Sequence, residues 1–597
     1  MKLPILNELP ATREMIEVFG GYNHNLRISD GEFFDMKNLT STDYPVLSPR
    51  PQRGIYAYHS TAENIPSGAM SVTIPQGMLE KNNLVYVDGE NIVIDGYPID
   101  MDLSIDSTPK QLISMGSYII IMPDKKYINT TNYGDKGNIE ASFQTHGRYV
   151  SFSLCRADGT TYVGATTSDT APENPADGAF WIDTSDNKSS LKQYSEANKE
   201  WISIATTYVR IDFDQETGVP FKEGDGVTIS GITDENLLDF NGTMVIQAAG
   251  NDYIVVIGML DRPSRYITDE IFITRRMPEM DFIIESENRL WGCHYGFDIQ
   301  GNFVNEIYAS KLGDFKNWNA FAGISTDSYV ASVGTDGFFT GAITHLGYPV
   351  FFKENCMHKV YGNYPANYQI QTTTCRGVQK GSEKSLAIVN EVLYYKSRNA
   401  VCAYDGSLPV EISSALGDVS YHNAAAGSIS YKYYISMADD NNEYHLFVYD
   451  TKRGLWHRED NTHAVEFCTC QGELYYIDDG KCIKTMSIIP NVSYPYEGEV
   501  PWSVETGVIG TDSPDKKYIS RLDVRMMLTV GTRVYFYIEY DSSGKWEPLF
   551  TMTGRTLKSF PVSIRPHRCD HMRLRIEGDG VAKIFSICKT IEQGSDI

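Results

Sequence analysis

The sequence predicts an all-β protein: a β-propeller of about seven blades, with inserted small β-domains and a C-terminal β-sandwich or jelly roll. Two observations lead to this prediction. Short runs rich in Val, Ile, Tyr and Phe alternate with Gly, Asn and Asp turns, in a chain of 597 residues that contains 39 Tyr and 49 Gly. These runs also recur at a nearly constant interval, which indicates a repeat architecture.

The repeat is about forty residues long. Seven apolar runs mark it, and their anchor residues are Leu84, Ile119, Leu290, Val350, Leu393, Tyr433 and Leu474. The last four anchors are 43, 40 and 41 residues apart. Such a period is typical of a propeller blade, a small sheet that cannot shield both of its faces from water and therefore packs against neighbouring blades. An irregular array of β-sandwiches with chance spacing is the alternative.

The interval between Ile119 and Leu290 is too long for one blade, so we expect inserted domains there. A chain of this length also exceeds what one hydrophobic core supports. The predicted organisation is an N-terminal arm (1–55), a first propeller part (56–139), an inserted β-module with a small β-barrel (140–279), a second propeller part (280–497) and a C-terminal β-sandwich (498–597).

The insertion contains a small β-unit, from Pro172 to Ile204, that is rich in aromatic residues. Trp181 and Trp201 are predicted to close a miniature core, because so short a unit has little else to bury. Alternatively, Trp181, Tyr194 and Trp201 form a face that contacts glycans, since aromatic planes stack on sugar rings. The alternating strands that follow the unit predict the small barrel.

Four arginines concentrate positive charge near the C-terminus of an acidic chain: Arg565, Arg568, Arg573 and Arg575. They form either a subunit interface that faces an acidic partner, or solvated strand positions held in cross-strand ion pairs. The sequence does not distinguish between the two.

The overall charge restricts the classes of partner. Lys and Arg number 52 and Asp and Glu number 77, so the formal net charge is −25. This balance disfavours non-specific binding to duplex DNA or to an anionic membrane, and no sequence-specific nucleic-acid partner is predicted. The N-terminus lacks the apolar core of a secretory signal and no apolar run has the length of a membrane span, so we expect synthesis in the cytosol.

No cofactor or metal site is predicted. Cys468 and Cys470 share one face of a predicted strand, and a metal there would need further ligands, for which no second close Cys pair exists. His567 and His571 flank Cys569 and Asp570, and we interpret them as part of a loop or interface cluster, with a metal site as the alternative.

Three segments of the chain carry a resemblance to one class of proteins. The N-terminal stretch "GGYNHNLRISDGEFFDMKNLTSTDYPVLSPRPQR" is similar to the beginning of tail-associated virion proteins of tailed bacteriophages. The unit 172–204 is similar to a module of phage fibre and tail proteins, with the pattern P-x-x-P-x-x-G-x-x-W-x-D-T, then L-K-x-Y, then W. The C-terminal "YDSSGKWE" and "PHRCDHMRLRIEGDG" resemble their closing domain.

The resemblance implies a structural, non-catalytic subunit of a phage tail or head–tail connector, of the type of the propeller-containing nozzle, hub or head-stabilisation proteins. Such a subunit belongs to the virion and assembles into a ring around the DNA exit channel. The analogy implies a homo-oligomer, a hexamer in particular, with the portal, adaptor or tail fibre as neighbours. One alternative is a tail-associated host-recognition protein that binds cell-surface glycans, and a propeller glycan depolymerase ranks last.

Catalytic motifs give no support to an enzyme. The chain contains no H-E-x-x-H, G-x-S-x-G or Walker-type loop. A glycosidase needs two facing carboxylates, and the sequence cannot single out a pair among 77 acidic residues. We therefore expect no catalytic residues and a protein that is not an enzyme.

Overall fold

The computed structural model describes residues 11–59, 70–105, 109–146, 149–186, 188–214, 216–488, 495–512, 515–554 and 557–593. Residues 1–10 of the predicted arm and residues 594–597 of the predicted C-terminal domain lie outside these ranges. The described residues contain β-strands, short 3₁₀ turns and no α-helix, and none of their helical segments is long and apolar enough to cross a membrane.

The chain begins with short strands that precede the repeat. They are β1 (Thr12–Ile16), β2 (Gly21–Tyr22), β3 (Glu32–Lys37), β4 (Leu39–Thr40), β5 (Ser48–Pro49), β6 (Gly54–His59) and β7 (Met70–Val72). The first two repeats follow as β8 (Pro75–Lys81), β9 (Asn83–Asp88), β10 (Asn91–Ile94) and β11 (Tyr97–Asp100), then β12 (Gln111–Met115), β13 (Tyr118–Met122), β14 (Lys126–Asn129) and β15 (Asn132–Asn138).

The insertion supplies twelve strands among the described residues. They are β16 (Ala141–Gln144), β17 (Val150–Cys155), β18 (Thr166–Ser168), β19 (Phe180–Asp183), β20 (Ser190–Ser195), β21 (Glu200–Ser203), β22 (Tyr208–Phe213), β23 (Gly226–Ser230), β24 (Gly242–Ala249), β25 (Tyr253–Ile257), β26 (Ser264–Ile267) and β27 (Phe272–Arg275).

Five further repeats follow the insertion. Their strands are β28 (Phe282–Ser286), β29 (Arg289–Phe297), β30 (Phe303–Ala309), β31 (Tyr329–Ser332), β32 (Phe339–His345), β33 (Tyr348–Lys353), β34 (Cys356–Tyr361), β35 (Gln369–Thr374), β36 (Ala387–Val389), β37 (Val392–Lys396), β38 (Val401–Tyr404), β39 (Val410–Glu411), β40 (Tyr421–Ile429), β41 (Lys432–Asp439), β42 (Tyr444–Asp450), β43 (Leu455–Arg458), β44 (Ala464–Cys470), β45 (Glu473–Asp478) and β46 (Cys482–Thr485).

The C-terminal strands are longer. They are β47 (Trp502–Thr506), β48 (Lys517–Leu528), β49 (Arg533–Tyr540), β50 (Glu547–Thr553), β51 (Lys558–Val562), β52 (Met572–Asp579) and β53 (Ala582–Gln593).

The predicted all-β propeller fold is confirmed. Within the described ranges, seven small sheets follow the order of the chain: β8–β11, β12–β15, β28–β31, β32–β35, β36–β39, β40–β43, and β44–β46 extended by β6 and β7. All seven predicted anchors lie in the second strand of their sheet, and each is at most 4% exposed. These second strands are almost continuously apolar because both of their faces are covered.

The last repeat is completed by the beginning of the chain. Strand β6 pairs antiparallel with β46, with Ala57 opposite Ile483, and β7 adds in parallel to β6. The sheet thereby joins residues more than 400 positions apart in the sequence. Because β6 pairs with β46, the backbone N–H and C=O groups along that side of β46 are not left unpaired.

Contacts divide the chain into two compact units. The first comprises Met1–Leu112, Phe352–Met357 and Thr373–Ile597, and the second comprises Ile113–Phe351 and His358–Thr372. In the first unit, sheets β1-β53-β48-β51 and β2-β3-β47-β52-β49-β50 form the C-terminal sandwich, and alternate residues of β48 and β49 enter one core. Residues 12–37, which belong to the predicted N-terminal arm, provide β1, β2 and β3 of this sandwich, where β1 pairs with β53 and β3 with β47.

In the second unit, the insertion forms two sheets. Eight strands pair in the order β16-β27-β23-β24-β25-β22-β17-β26, and β18-β19-β20-β21 form a separate sheet. The predicted barrel is not closed over the described residues, because edge strands β16 and β26 each pair on one side only. Both sheets contribute to one apolar core, which includes Ile182 of the smaller sheet and Val209 of the larger one.

Candidate functional site

The small inserted sheet has one face that packs and one that does not enter the core. Successive side chains of a strand point to opposite faces. Ile182 of β19 and Leu191 of β20 are 0% and 1% exposed and belong to the core shared with the eight-stranded sheet. These two residues anchor the unit in the shared core, whereas the predicted miniature core of Trp181 and Trp201 lies on the opposite face, where Trp181 is 5% exposed.

The opposite face carries the three aromatic residues singled out in the sequence. Tyr194 of β20 lies directly across from Trp201 of β21. The ring centroids of Trp201 lie 5.4 Å from Trp181 and 5.4 Å from Tyr194, at tilts of 64° and 60°. Trp181 is buried, whereas Tyr194 and Trp201 are half-buried. Trp201 therefore sits between the other two rings, and part of its own surface and that of Tyr194 faces solvent.

Backbone contacts hold the cluster in place. The indole Nε1 of Trp181 donates to the carbonyl oxygen of Ser168 at 3.1 Å, across the parallel pairing of β18 and β19. The amide of Tyr194 donates to the carbonyl of Ala179 at 2.9 Å. Because an indole N–H that is buried needs an acceptor, the first bond determines the orientation of the Trp181 ring.

An ion pair lies beside Trp181 on the same face. Lys192 is paired with Trp181 in the β-ladder, and its Nζ lies 4.9 Å from the centroid of that ring and 2.7 Å from Asp183 Oδ2. The hydrogen bond from Lys192, together with bonds from Ser185, lowers the pKa of Asp183 to about 2. The carboxylate is therefore ionised at neutral pH.

Two further carboxylates flank Tyr194. The amide of Glu196 donates to Asp177 Oδ1 at 2.9 Å, which ties the turn after β20 to the loop before β19. Burial raises the pKa of the Tyr194 hydroxyl, and so do the nearby charges of Glu196 and Asp177 and a hydrogen bond to Glu196. The exposed end of the aromatic face is thus bordered by hydrogen-bond acceptors.

A groove of about 290 Å³ lies in the first unit, between the turn after β37 and the loop that leads to β40. The carboxyl-bearing residues Glu411, Asp418 and Asp440 line it and are exposed. Arg376 pairs with Glu411 at 2.7 Å. The sequence reasoning missed these residues, because nothing distinguishes them from the other acidic residues until the loops bring them together.

A buried lysine forms part of the wall of this groove. Lys396 Nζ donates to Gln379 Oε1 at 3.1 Å and to the carbonyl of Ser397 at 2.5 Å. Burial lowers its pKa to about 8. The groove thus combines exposed carboxylates with a partly neutral amine at mildly alkaline pH.

Two of the four C-terminal arginines lie on a strand, and two lie in the segment before it. Arg573 and Arg575 lie on β52, where Arg573 Nη2 is 2.6 Å from Glu539 Oε2 and Arg575 pairs with Glu505. The Arg575 guanidinium also lies 4.3 Å from the Trp546 ring centroid. Arg565 and Arg568 are exposed residues of the segment between β51 and β52.

Two groups were considered as metal sites, Cys468 with Cys470 and the segment 567–571. The thiols in both groups are protonated at neutral pH, because burial raises their pKa values. Burial raises the pKa of Cys470 to about 11 and that of Cys468 further. Burial also raises the pKa of Cys569 to about 11. His571 contacts Asp570 and Ser542, whereas His567 packs against Tyr540 with ring centroids 4.4 Å apart.

One other group, missed in the sequence, has the residue types of a metal site. Potential ligand atoms of Asp439, Glu443 and His445 lie within 4.8 Å of one another at the β41–β42 turn. Arg458 Nη2 lies 3.1 Å from His445 Nδ1, so this nitrogen accepts and Nε2 donates its proton to Asp439 at 3.2 Å. In this arrangement the imidazole has no lone pair left for a metal.

Comparisons with known proteins identify enzymes among similar structures. No protein-family model and no curated protein sequence matches the chain. Among solved structures, it is similar to an exo-β-1,3-galactanase of Phanerochaete chrysosporium, at 10% identity and a TM-score of 0.19, covering 51% of this chain and 94% of the other. A family 43 arabinoxylan arabinofuranohydrolase of Bacillus subtilis matches at 7% identity and a TM-score of 0.17, over 54% of this chain and 96% of the other. The sialidase of Trypanosoma rangeli matches at 10% identity and a TM-score of 0.19, over 87% and 95%.

This result corrects one prediction. The three structures named above are enzymes, which contradicts the expectation that the chain is not an enzyme, and we withdraw that expectation. At these identities and TM-scores, neither their substrates nor their mechanisms carry over to this chain.

Proposed function

We propose that this protein binds glycans of a cell surface through the face formed by Trp181, Tyr194 and Trp201. The observation that carries the proposal is the cross-strand pair of Tyr194 and Trp201, which remains half-exposed while the other face of the same sheet is buried. Aromatic rings fixed on strands present flat apolar surfaces at little cost in side-chain entropy. Acceptors for sugar hydroxyls lie beside them, as carboxylates of Asp177 and Glu196.

The test uses the full-length protein with substitutions on the two faces of β21. We expect Trp201→Ala to weaken binding to a surface polysaccharide by up to about tenfold, since an aromatic contact contributes about 0.5–1.5 kcal/mol. Ile202→Ala is the matched control, because Ile202 is the next residue, is 46% exposed and points to the other face. Isothermal titration calorimetry measures the affinities, and circular dichroism verifies that both variants fold. Equal affinities of Trp201→Ala and the parent protein would refute the proposal.

A second candidate function is hydrolysis of a glycan in the groove of the first unit. Glycoside hydrolysis requires one carboxyl group that protonates the leaving oxygen and a second that activates water or attacks the sugar. Glu411, Asp418 and Asp440 supply three such groups in one concave site. Release of reducing ends from purified polysaccharide tests this function. Activity that is lost in Asp418→Asn and in Asp440→Asn but kept in Asp512→Asn would support it, and absence of turnover on all polysaccharides tried would count against it.

The biological setting that we propose is the tail of a bacteriophage particle, assembled in the host cytoplasm, with the chain in a homo-oligomeric ring beside other virion proteins. Support comes from the similarity of the N-terminal stretch, the unit 172–204 and the C-terminal segment to phage tail proteins. Immunogold labelling of purified particles tests this setting. Absence of label from particles, together with a monomer in light scattering at high concentration, would refute it.

A further inference from the structure

The charges that contact the aromatic face are mostly negative. Asp183 lies beside Trp181, where it pairs with Lys192. Asp177 and Glu196 lie beside Tyr194, because the amide of Gly178 donates to the carbonyl of Tyr194 at 3.0 Å and the amide of Glu196 donates to Asp177 Oδ1 at 2.9 Å. Lys192 is a cation in contact with one of these rings, that of Trp181. The segment 171–204 as a whole contains six Asp and Glu residues and three Lys residues, a formal charge of −3.

The lysine is not available as an anion-binding group in this geometry. Its Nζ lies 2.7 Å from Asp183 Oδ2 and 4.9 Å from the Trp181 centroid, so it already has a carboxylate partner and lies over an aromatic ring. Its side chain is 24% exposed and that of Asp183 is 10% exposed. An anionic sugar would have to displace Asp183, whose pKa is held at about 2 by this bond.

The carboxylates next to Tyr194 also disfavour the binding of an anionic sugar. An ionised carboxylate only accepts hydrogen bonds, so it binds the hydroxyl groups of a sugar and repels a second carboxylate. Asp177 is in addition kept in place by the amide of Glu196 at 2.9 Å. The carboxylates of Asp177 and Glu196 would therefore repel a carboxyl-bearing sugar stacked on Tyr194 and Trp201. Among the described residues that contact the rings, no cation is available to compensate this repulsion.

We infer that the aromatic face selects neutral, hydroxyl-rich pyranosides and discriminates against uronic acids and sialic acids, with Asp177 and Glu196 as the specificity-determining residues. This inference rests on the proposed glycan-binding function.

The test is an array of neutral, uronic-acid and sialylated oligosaccharides probed with the full-length protein at low ionic strength. We expect neutral glycans to bind at least about tenfold more tightly than acidic glycans with the same backbone, and Trp201→Ala to remove both signals. Preferential binding of acidic glycans would overturn the inference and leave the glycan-binding function standing. Binding of no glycan at all would overturn both.

Isosteric variants test the assigned residues. We expect Asp177→Asn combined with Glu196→Gln to reduce the preference for neutral glycans several-fold, because both amides keep an acceptor oxygen but lose the charge. Glu200→Gln is the matched control, since it removes one charge from an exposed residue of β21 that points away from the rings. An unchanged preference in the double variant, with neutral glycans still bound, would overturn the role of these two residues.

Discussion

The buried pair of Asp225 and Arg275 allows a quantitative test of what stabilises the eight-stranded sheet of the insertion. Arg275 Nη1 lies 2.6 Å from Asp225 Oδ2, and the two side chains are 7% and 0% exposed. Asp225 also accepts from Asn317 Nδ2 at 2.9 Å and from the amide of Lys222 at 3.1 Å. The carboxylate is therefore the acceptor for three donors at a buried position.

We expect Asp225→Ala to destabilise this region by about 3–5 kcal/mol, because it leaves a buried guanidinium without its counter-charge. After the change, Arg275 would keep one described hydrogen bond, from Nη2 to the carbonyl of Ile139 at 3.2 Å. A loss of about 3 kcal/mol corresponds to a more than 100-fold rise in the opening equilibrium. Hydrogen–deuterium exchange of peptides from β23 and β27 measures this opening directly.

Arg262→Ala provides the control for this experiment. Arg262 is 55% exposed and 3.5 Å from Asp261, so its loss should change protection by less than about 1 kcal/mol. Comparable exchange rates for Asp225→Ala and Arg262→Ala would refute the reasoning, since they would mean that the buried carboxylate contributes no more to stability than an exposed arginine.

Three further predictions concern the rest of the chain. Gly377→Ala should abolish soluble expression, because a Cβ at this position would lie 1.7 Å from the carbonyl oxygen of Lys353, and Gly334→Ala is the glycine control, because a Cβ at this exposed position would meet no other group within 4 Å. Leu191→Ala should raise exchange in β19 and β20 in line with a loss of about 2–5 kcal/mol, whereas Ile202→Ala should not, because Leu191 is 1% exposed and Ile202 46%. Burial and the charge of Lys432 lower the pKa of His457 to about 3 in the folded state. In the unfolded state its pKa is near the ordinary value of 6.5, so between these two pH values only the unfolded state binds the proton. Stability should therefore decline as pH falls from about 6.5 towards 3, and His457→Gln should flatten the fall of the melting temperature between pH 7 and 4; parallel curves for both proteins would contradict this assignment.

The repeat could be predicted because its signal is local. Each second strand, such as the ones around Leu393 and Tyr433, is apolar at successive positions since both of its faces are covered, and this run is visible without any knowledge of neighbours. The spacing of the runs then indicated blades. The barrel prediction failed for the opposite reason, because closure depends on whether β16 and β26 meet, and the sequence of neither strand contains that information.

For the aromatic face, the alternation of side chains predicts which residues share a face but not which face is buried. Alternation places Tyr194 with Lys192 on one face of β20 and Leu191 on the other, and this much follows from the chain alone. Which face is covered depends on the eight-stranded sheet, which buries Ile182 and Leu191 and leaves Tyr194 and Trp201 half-exposed. The acidic residues of the groove could not be predicted, since Glu411 ends β39, Asp418 precedes β40 and Asp440 follows β41, and no spacing rule connects these positions.

The sequence by itself determined the secondary structure, the period of the blades and the position of the insertion, because these depend on side-chain alternation and turn residues that are close together in the chain. Only the tertiary structure decided that residues 12–37 join the C-terminal sandwich, that β6 completes the last repeat, and which face of the inserted sheet meets solvent. Those outcomes depend on contacts between residues that are hundreds of positions apart, where the free energy of burial is set by the partner surface and not by the strand itself.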